Sequence, residues 1–350
     1  MNGLSRLPKI SADSVAASIE AFAPVMAGRG TPLYATLCTR IPEDPELVAM
    51  LAHGLASATA LQLFTSVQYL LMRDPRDPLA RFYANLTENP QPPETAFADF
   101  AVFCKKHRDE ILHLIKTRTI QVTTAERCKI VMSPLSRVAK LAGEPLNLIE
   151  IGCSAGVLLT FDKYAYDVKG RGLLGSRGAP LTLSVDVQGG PDLHIPKVDK
   201  RIGIDLCTID KSSEDDRRWV MAHCFPELRD WQAQLTTALD QVAHTDISFL
   251  EGDALDRLPE AIEKTSGPLC IFHSACLLYW SAEAKAALNT LLLETSRNRE
   301  IYRVGIEQPE DRSSLPNLTE VIVSHYRDGA VNRKFIGEST NDFSSLTWHN

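Results

Sequence analysis

The sequence predicts an α/β protein: a helical N-terminal domain, then a Rossmann-type, mostly parallel sheet that ends in an antiparallel hairpin. Three observations predict it. Residues 1–140 carry apolar side chains at helical spacing. From about residue 146, short apolar runs alternate with helical stretches, the pattern of a parallel sheet covered on both faces. Asp328-Gly329, between Thr319–Arg327 and Ala330–Gly337, is a two-residue hairpin signal.

In the helical part, Ser11 is placed to cap a helix whose Val15, Ile19 and Phe22 share a face. Asp44-Pro45-Glu46 combines a capping carboxylate, proline at the first helical position and an acid in the first turn. Further helical patterns cover 58–72, 94–117 and 125–142, with Asn89-Pro90-Gln91-Pro92-Pro93 as a loop. The expected division is a helical domain, 1–140, and an α/β domain, 141–350. In the latter, Leu146–Ile151, Arg201–Leu206, Asp246–Leu250, Leu269–Phe272 and Ile301–Ile306 read as strands. Helical stretches at 156–166, 214–242, 254–264 and 282–295 separate them. Residues 167–200 form an insertion with a perfectly alternating run, Leu181–Gln188. It reads either as a lid or substrate-contacting arm near the ligand edge or as a surface hairpin.

The chain has 350 residues, 44% of them hydrophobic and 23% charged, the balance of a soluble globular protein. A formal net charge of −7 argues against nucleic-acid and anionic-membrane surfaces, which need clustered Lys and Arg. The basic run Lys105-Lys106-His107-Arg108 is followed by Asp109-Glu110 and reads as a solvated helix face. The eight cysteines are dispersed without a C-x-x-C pair, so neither a disulfide framework nor a zinc site is expected. The nine histidines are scattered, with no metal-ligand spacing, and His107 and His113 lie six residues apart. With no secretory signal and no apolar run of membrane-spanning length, the expected location is the cytoplasm. The expected partner is a small-molecule substrate.

The most informative stretch is Leu146-Asn-Leu-Ile-Glu-Ile-Gly-Cys-Ser-Ala-Gly156. A buried strand entering a small-residue turn and then a helix is how α/β proteins receive nucleotide-like ligands: glycines allow close approach, and unpaired amides at the helix start face the ligand. The letters fit two chemistries. Glu-x-Gly-x-x-x-Gly resembles the cofactor loop of class I S-adenosylmethionine methyltransferases. Gly-x-Ser-x-Gly resembles the nucleophile elbow of α/β-hydrolases, with Ser154 as nucleophile and His273 or His325 as base. The hydrolase fits less of the chain. Everything before Leu146 is helical in pattern, no His-Gly-Gly segment supplies an oxyanion hole, and Glu150 has no role in it.

The methyltransferase resemblance assigns residues at successive strand ends. Glu150, Gly152, Cys153, Ser154 and Gly156 would meet the methionine end of the cofactor. Asp205 would meet the ribose, Asp253 with Ala254 the adenine side, and His273-Ser274 would border cofactor and substrate. His273 is then a candidate general base or, alternatively, a satisfied core histidine. Asp205 and Asp253 equally suit helix capping. Methyl transfer depends chiefly on positioning, so the lack of an obvious catalytic group does not exclude it. The same fold without turnover, a binding module for S-adenosylmethionine, is the rival reading.

A narrower resemblance rests on Glu150–Gly156, Asp162-Lys163-Tyr164-Ala165-Tyr166, Gly203-Ile204-Asp205-Leu206, Asp216-Arg217-Arg218-Trp219, Gly252-Asp253-Ala254-Leu255 and Phe272-His273-Ser274-Ala275. With Asp44-Pro45-Glu46-Leu47 and the segment from Gln121 to Arg127-Cys128, these are similar to a bacterial family known as domain of unknown function 2332. The resemblance implies a helical domain joined to a methyltransferase-like domain, without an assigned reaction. The chain departs from the family pattern at Val122-Thr123-Thr124, where members tend to carry Thr-Asn-Glu, and at Leu158, where they tend to carry Asn. Tyr164 and Tyr166 read first as packing residues, and Arg217 and Arg218 as ion-pair partners of Asp215 and Asp216. Arg127 is open between the pocket and an interdomain salt bridge.

Overall fold

The computed structural model describes residues 11–54, 60–143, 145–190, 192–309 and 318–349. They form two compact units, Met1–Val122 with Glu214–Ala233 and Thr123–Ser213 with Gln234–Asn350. The division is therefore not one cut near residue 140. The helix Cys128–Ala142 packs on the sheet, and Trp219 and Phe225 enter the core of the helical unit.

In the helical unit the capping signals act as written. Ser11 accepts from the Ser14 amide, and Asp44 accepts from Glu46 and Leu47. Two expected helices are broken. The 94–117 pattern splits into Phe97–Lys106 and Arg108–Thr117 at His107, whose ring packs on Phe103. The 214–242 pattern splits into Glu214–Met221 and Arg229–Ala243, with Phe225-Pro226, a pair that disfavours helix, in the break. Inside, Tyr34 stacks on Phe64 at 4.3 Å. Arg118 pairs with Asp215 and Asp216, and Arg218 with Asp215, while Trp219 donates to the Thr119 carbonyl at 3.0 Å. The Asp215–Trp219 segment is thus built into an ion-pair network.

The second unit carries one eleven-stranded sheet. In chain order the strands are β1 (Leu146–Ile151), β2 (Ala165–Val168), β3 (Gly172–Leu174), β4 (Thr182–Gln188), β5 (Val198–Asp205) and β6 (Ser248–Glu251). Then follow β7 (Leu269–Ser274), β8 (Ile301–Glu307), β9 (Leu318–Arg327), β10 (Ala330–Thr340) and β11 (Ser345–Trp348). Their spatial order is β3-β2-β4-β11-β10-β9-β8-β7-β1-β5-β6. The stretch β6-β5-β1-β7-β8 is parallel throughout, and β1, buried at all six positions, lies where the strand order reverses. The connection from β8 to β9 is shorter than a parallel crossover requires, and β9 returns antiparallel. At its far end Asp328 and Gly329, both at positive φ, turn the chain into β10.

The helix expected over 156–166 is instead a 3-10 segment, Val157–Lys163, running into β2. Arg201 on β5 fixes it from beneath, donating to Asp162 at 2.6 Å and to the Leu159 carbonyl at 3.0 Å. Thr160 bonds Tyr164, and Tyr166 donates to the Phe161 carbonyl. The Asp162–Tyr166 motif is therefore a structural lock. The insertion is not a free surface hairpin, because its strands join the sheet. β4 buries Leu183, Val185 and Val187 and pairs with β11 and β2, six positions from β1 in the sheet order. An alternating strand with one apolar face needs a sheet to join, and the edge of β11 supplies it.

The Arg201–Asp162 side chains are 7% and 9% exposed. Removing one partner of a buried pair leaves an uncompensated charge, so Asp162→Ala should lower unfolding free energy by about 3–5 kcal/mol. Urea denaturation checks this; a loss below about 1 kcal/mol would refute the lock.

Candidate functional site

The turn after β1 is held from the neighbouring strand β5. The Gly152 and Cys153 amides donate to the Ile204 carbonyl at 2.8 and 3.2 Å, and the Gly156 amide to the Cys153 carbonyl at 2.7 Å. The Ser154 amide donates to Asp205 Oδ2 at 2.8 Å. Gly152, Ser154 and Gly156 all have positive φ, 74°, 49° and 75°. A Cβ on Gly152 would lie 2.4 Å from Cys276 Sγ, and one on Gly156 would lie 2.9 Å from the Phe249 ring. Here the structure departs from the sequence-based expectation. These amides are spent inside the protein, and the glycines make room for Cys276 and Phe249. Because a 3-10 segment follows the turn, no α-helix N-terminus points at it.

The other predicted residues fall at the same C-terminal edge, but not all face it. Cys153 is buried with its sulfur against Gly203. Asp253 caps the helix Ala254–Glu263 by accepting from the Leu255 amide at 2.8 Å, and Ala254 lies in the apolar core. Both follow β6, two strands from β1. Asp205 clasps the turn through Ser154 and accepts from the Cys207 amide at 3.2 Å.

What gathers beside the turn is a set of charges. Glu150, 2% exposed, keeps Oε2 without a hydrogen-bond partner among the described residues. Burial pushes its carboxyl well above the ordinary value, Arg127 opposes that shift, and Asp205 adds to it. Arg127, in the 3-10 turn before the helix Cys128–Ala142, lies within electrostatic reach of Glu150 and Glu307, and its Nε is equally without a partner. It thus belongs to the edge of the sheet unit. Glu307, the last residue of β8, accepts at Oε1 from His273 Nδ1 at 2.7 Å and from the Cys276 and Leu277 amides at 3.1 Å each. Its Oε2 is buried without a partner. The hydrogen bonds and the adjacent imidazole hold this carboxyl below the ordinary glutamate value, against its burial. An unpaired buried polar atom costs about 1–3 kcal/mol, and three of them converge on this edge.

His273, 1% exposed, has no nitrogen left for a substrate. Arg303 Nε donates to its Nε2 at 3.0 Å, so Nδ1 carries the proton given to Glu307. Burial, the largest cause, together with Arg303 keeps the ring below its usual pKa, with Glu307 opposing. Arg303 also reaches the Tyr326 hydroxyl, which donates to Asn289. The candidate base is therefore a positioning group for Glu307. The hydrolase reading loses both its histidines in this arrangement, since His325 pairs with Glu300 at the opposite end of β8. Among the described residues no three His, Cys, Asp or Glu side chains group as metal ligands, and no helix is long and apolar enough to cross a membrane.

A family model described as "Uncharacterized protein conserved in bacteria (DUF2332)" matches residues 16–348. The chain belongs to that family. No curated protein matches it. Within this DUF2332 chain, the segments Asp162–Tyr166 and Asp216–Trp219 are structural locks, whereas Glu150 and Arg127 stand at the sheet edge. Thr124, at one departure from the family pattern, caps the 3-10 turn that carries Arg127 by accepting from the Glu126 amide at 3.2 Å. Leu158, at the other, is buried. Sequence reasoning missed Glu307 and Arg303. The available signal was an acid closing the fifth parallel strand after Ile306, as Glu150 follows Ile149.

Gly152→Ala should cost about 2–4 kcal/mol from overpacking and left-handed strain. Cys276→Ala should restore part of that loss, an interaction a double-mutant cycle measures; strict additivity would show that Cys276 does not set the turn. Glu307 has a lowered folded-state pKa, so its stabilisation is present above the ordinary 4.5 and is lost as pH falls through the lower, folded value. The stability gap between wild type and Glu307→Gln should shrink from pH 6 to pH 3 in urea titrations; a constant gap contradicts the assignment.

Proposed function

We propose that this protein is an S-adenosylmethionine-dependent methyltransferase acting on a small-molecule acceptor. The observation that carries the reading is Glu150: a buried carboxylate, one oxygen unpaired, at the end of the central strand where open α/β sheets receive ligands. The charges beside it suit this cofactor, which bears an ammonium, a sulfonium and a carboxylate. Glu150 would accept from the ammonium, Arg127 would hold the carboxylate with its guanidinium fork, and Asp205 would add negative potential toward the sulfonium. Bound there, the cofactor supplies an electrophilic methyl group. The protein's own part is to fix these side chains on rigid strand ends and to exclude water. Asp205 contributes mainly by clasping the Ser154 amide, and the glycine turn by shaping the floor.

The non-catalytic module keeps support from one observation: the Gly152, Cys153, Ser154 and Gly156 amides are paired internally, which takes them out of ligand recognition.

Isothermal calorimetry with S-adenosylhomocysteine should give a micromolar dissociation constant; no binding at millimolar ligand would overturn the reading. Glu150→Gln should abolish that binding yet stabilise the unliganded protein by about 1 kcal/mol or more at neutral pH. A raised folded-state pKa means wild-type stability declines as pH climbs above 4.5, so the mutant's advantage grows with pH. A merely structural Glu150 would show the reverse, a destabilised mutant.

A further inference from the structure

The edge holds more negative groups than the cofactor's methionine end requires. Glu150 and Arg127 suffice for an ammonium and a carboxylate, which leaves Glu307 unassigned. Its Oε1 is saturated by three donors on β7 and the turn after it. The His273–Arg303–Tyr326–Asn289 chain behind it fixes the imidazole that orients it. A single carboxylate held this firmly, with its second oxygen left without a donor, is built to receive one more. The side chain is 19% exposed while Oε2 itself is buried, so a donor must enter below the surface of the sheet edge to reach it. Asp205 adds a second acid to these surroundings, whereas Glu150, 2% exposed with its own unpaired oxygen, is pushed toward its neutral form by burial. The charged and titratable groups facing Glu307 are His273, Arg127 and Cys276, of which Arg127 alone is a cation and is claimed by the cofactor.

We propose that Glu307 Oε2 recognises a nitrogen donor on the methyl acceptor, an amine or guanidinium, with His273 and Arg303 as its positioning residues. This rests on the methyltransferase reading for the word acceptor; the nitrogen-binding site stands apart from it. Neutral or cationic nitrogen compounds fit this edge, and carboxylate, phosphate or phenolate acceptors are repelled by it. Tyr279, 82% exposed on the turn whose amides hold Glu307, offers a ring face to the remainder of a cationic substrate.

The test uses the full chain labelled with ¹⁵N-histidine, saturated with S-adenosylhomocysteine, and titrated with n-butylamine, agmatine, n-butanol and butyrate. The shared Nδ1–H of His273 should give a downfield imidazole resonance. The two nitrogen probes should shift it with millimolar dissociation constants, at least tenfold tighter than the alcohol or the acid. Glu307→Gln should weaken the amines tenfold or more and leave S-adenosylhomocysteine affinity within threefold. Equal response to butanol or butyrate, or undiminished amine binding in Glu307→Gln, overturns the proposal. Should that variant fail to fold, the wild-type ranking of the four probes decides alone. Amine binding without S-adenosylhomocysteine binding would retain the nitrogen site and remove the methyltransferase reading. The opposite result would remove only the site.

Discussion

The clasp between the ends of β1 and β5 governs this edge of the sheet. Ile204 gives its carbonyl to two amides of the turn, and Asp205 gives its carboxylate to a third. That clasp holds the positive-φ conformations at Gly152, Ser154 and Gly156, of which the one at Ser154 is unfavourable without such support. Cys276 and Phe249 then fill the space the missing side chains leave. Once the turn is fixed, Cys276 is fixed, and its amide together with that of Leu277 holds Glu307. Asp205 and, through Cys276, Glu307 are thus tied to one interstrand contact, while the β1 ladder itself places Glu150.

Two kinds of buried charge coexist in the same unit, and their partners separate them. Arg201 and Asp162 meet at 2.6 Å and serve the fold. Glu150, Glu307 and Arg127 share a neighbourhood but leave an oxygen or nitrogen each without a bond, which is a cost to folding. The lock is not fully satisfied either, since Asp162 Oδ1 is also without a partner. What separates the two kinds is that Asp162 is met by a guanidinium at 2.6 Å, whereas no hydrogen bond joins Glu150, Glu307 and Arg127 among the described residues. His273 shows why residue type alone misleads: an imidazole at a strand end looks like a base, yet both nitrogens are committed to Glu307 and Arg303.

Several readings depended on local patterns, and they held where local physics decides. The N-caps at Ser11 and Asp44, the strand Leu146–Ile151, the helix Ala282–Thr295 and the turn at Asp328-Gly329 agree with the structure. Patterns that needed a partner elsewhere in the chain went astray. The helix expected after Gly156 yielded to a 3-10 segment pinned by Arg201, 39 residues beyond Asp162. The insertion's alternating strand was legible, while its partner β11 lay at the other end of the sequence.

The sequence by itself determined the α/β class, the order of its parallel strands, the family, and the acid and glycines around Gly152. Those features follow from periodicity, capping and residue chemistry within short windows. Only the tertiary structure decided which polar atoms are already used. It assigned the turn amides to Ile204 and Asp205 and His273 to Glu307, and it left Glu150, Glu307 and Arg127 with atoms unpaired. Hydrogen-bond satisfaction is a property of three-dimensional neighbours, so no spacing of letters reveals it.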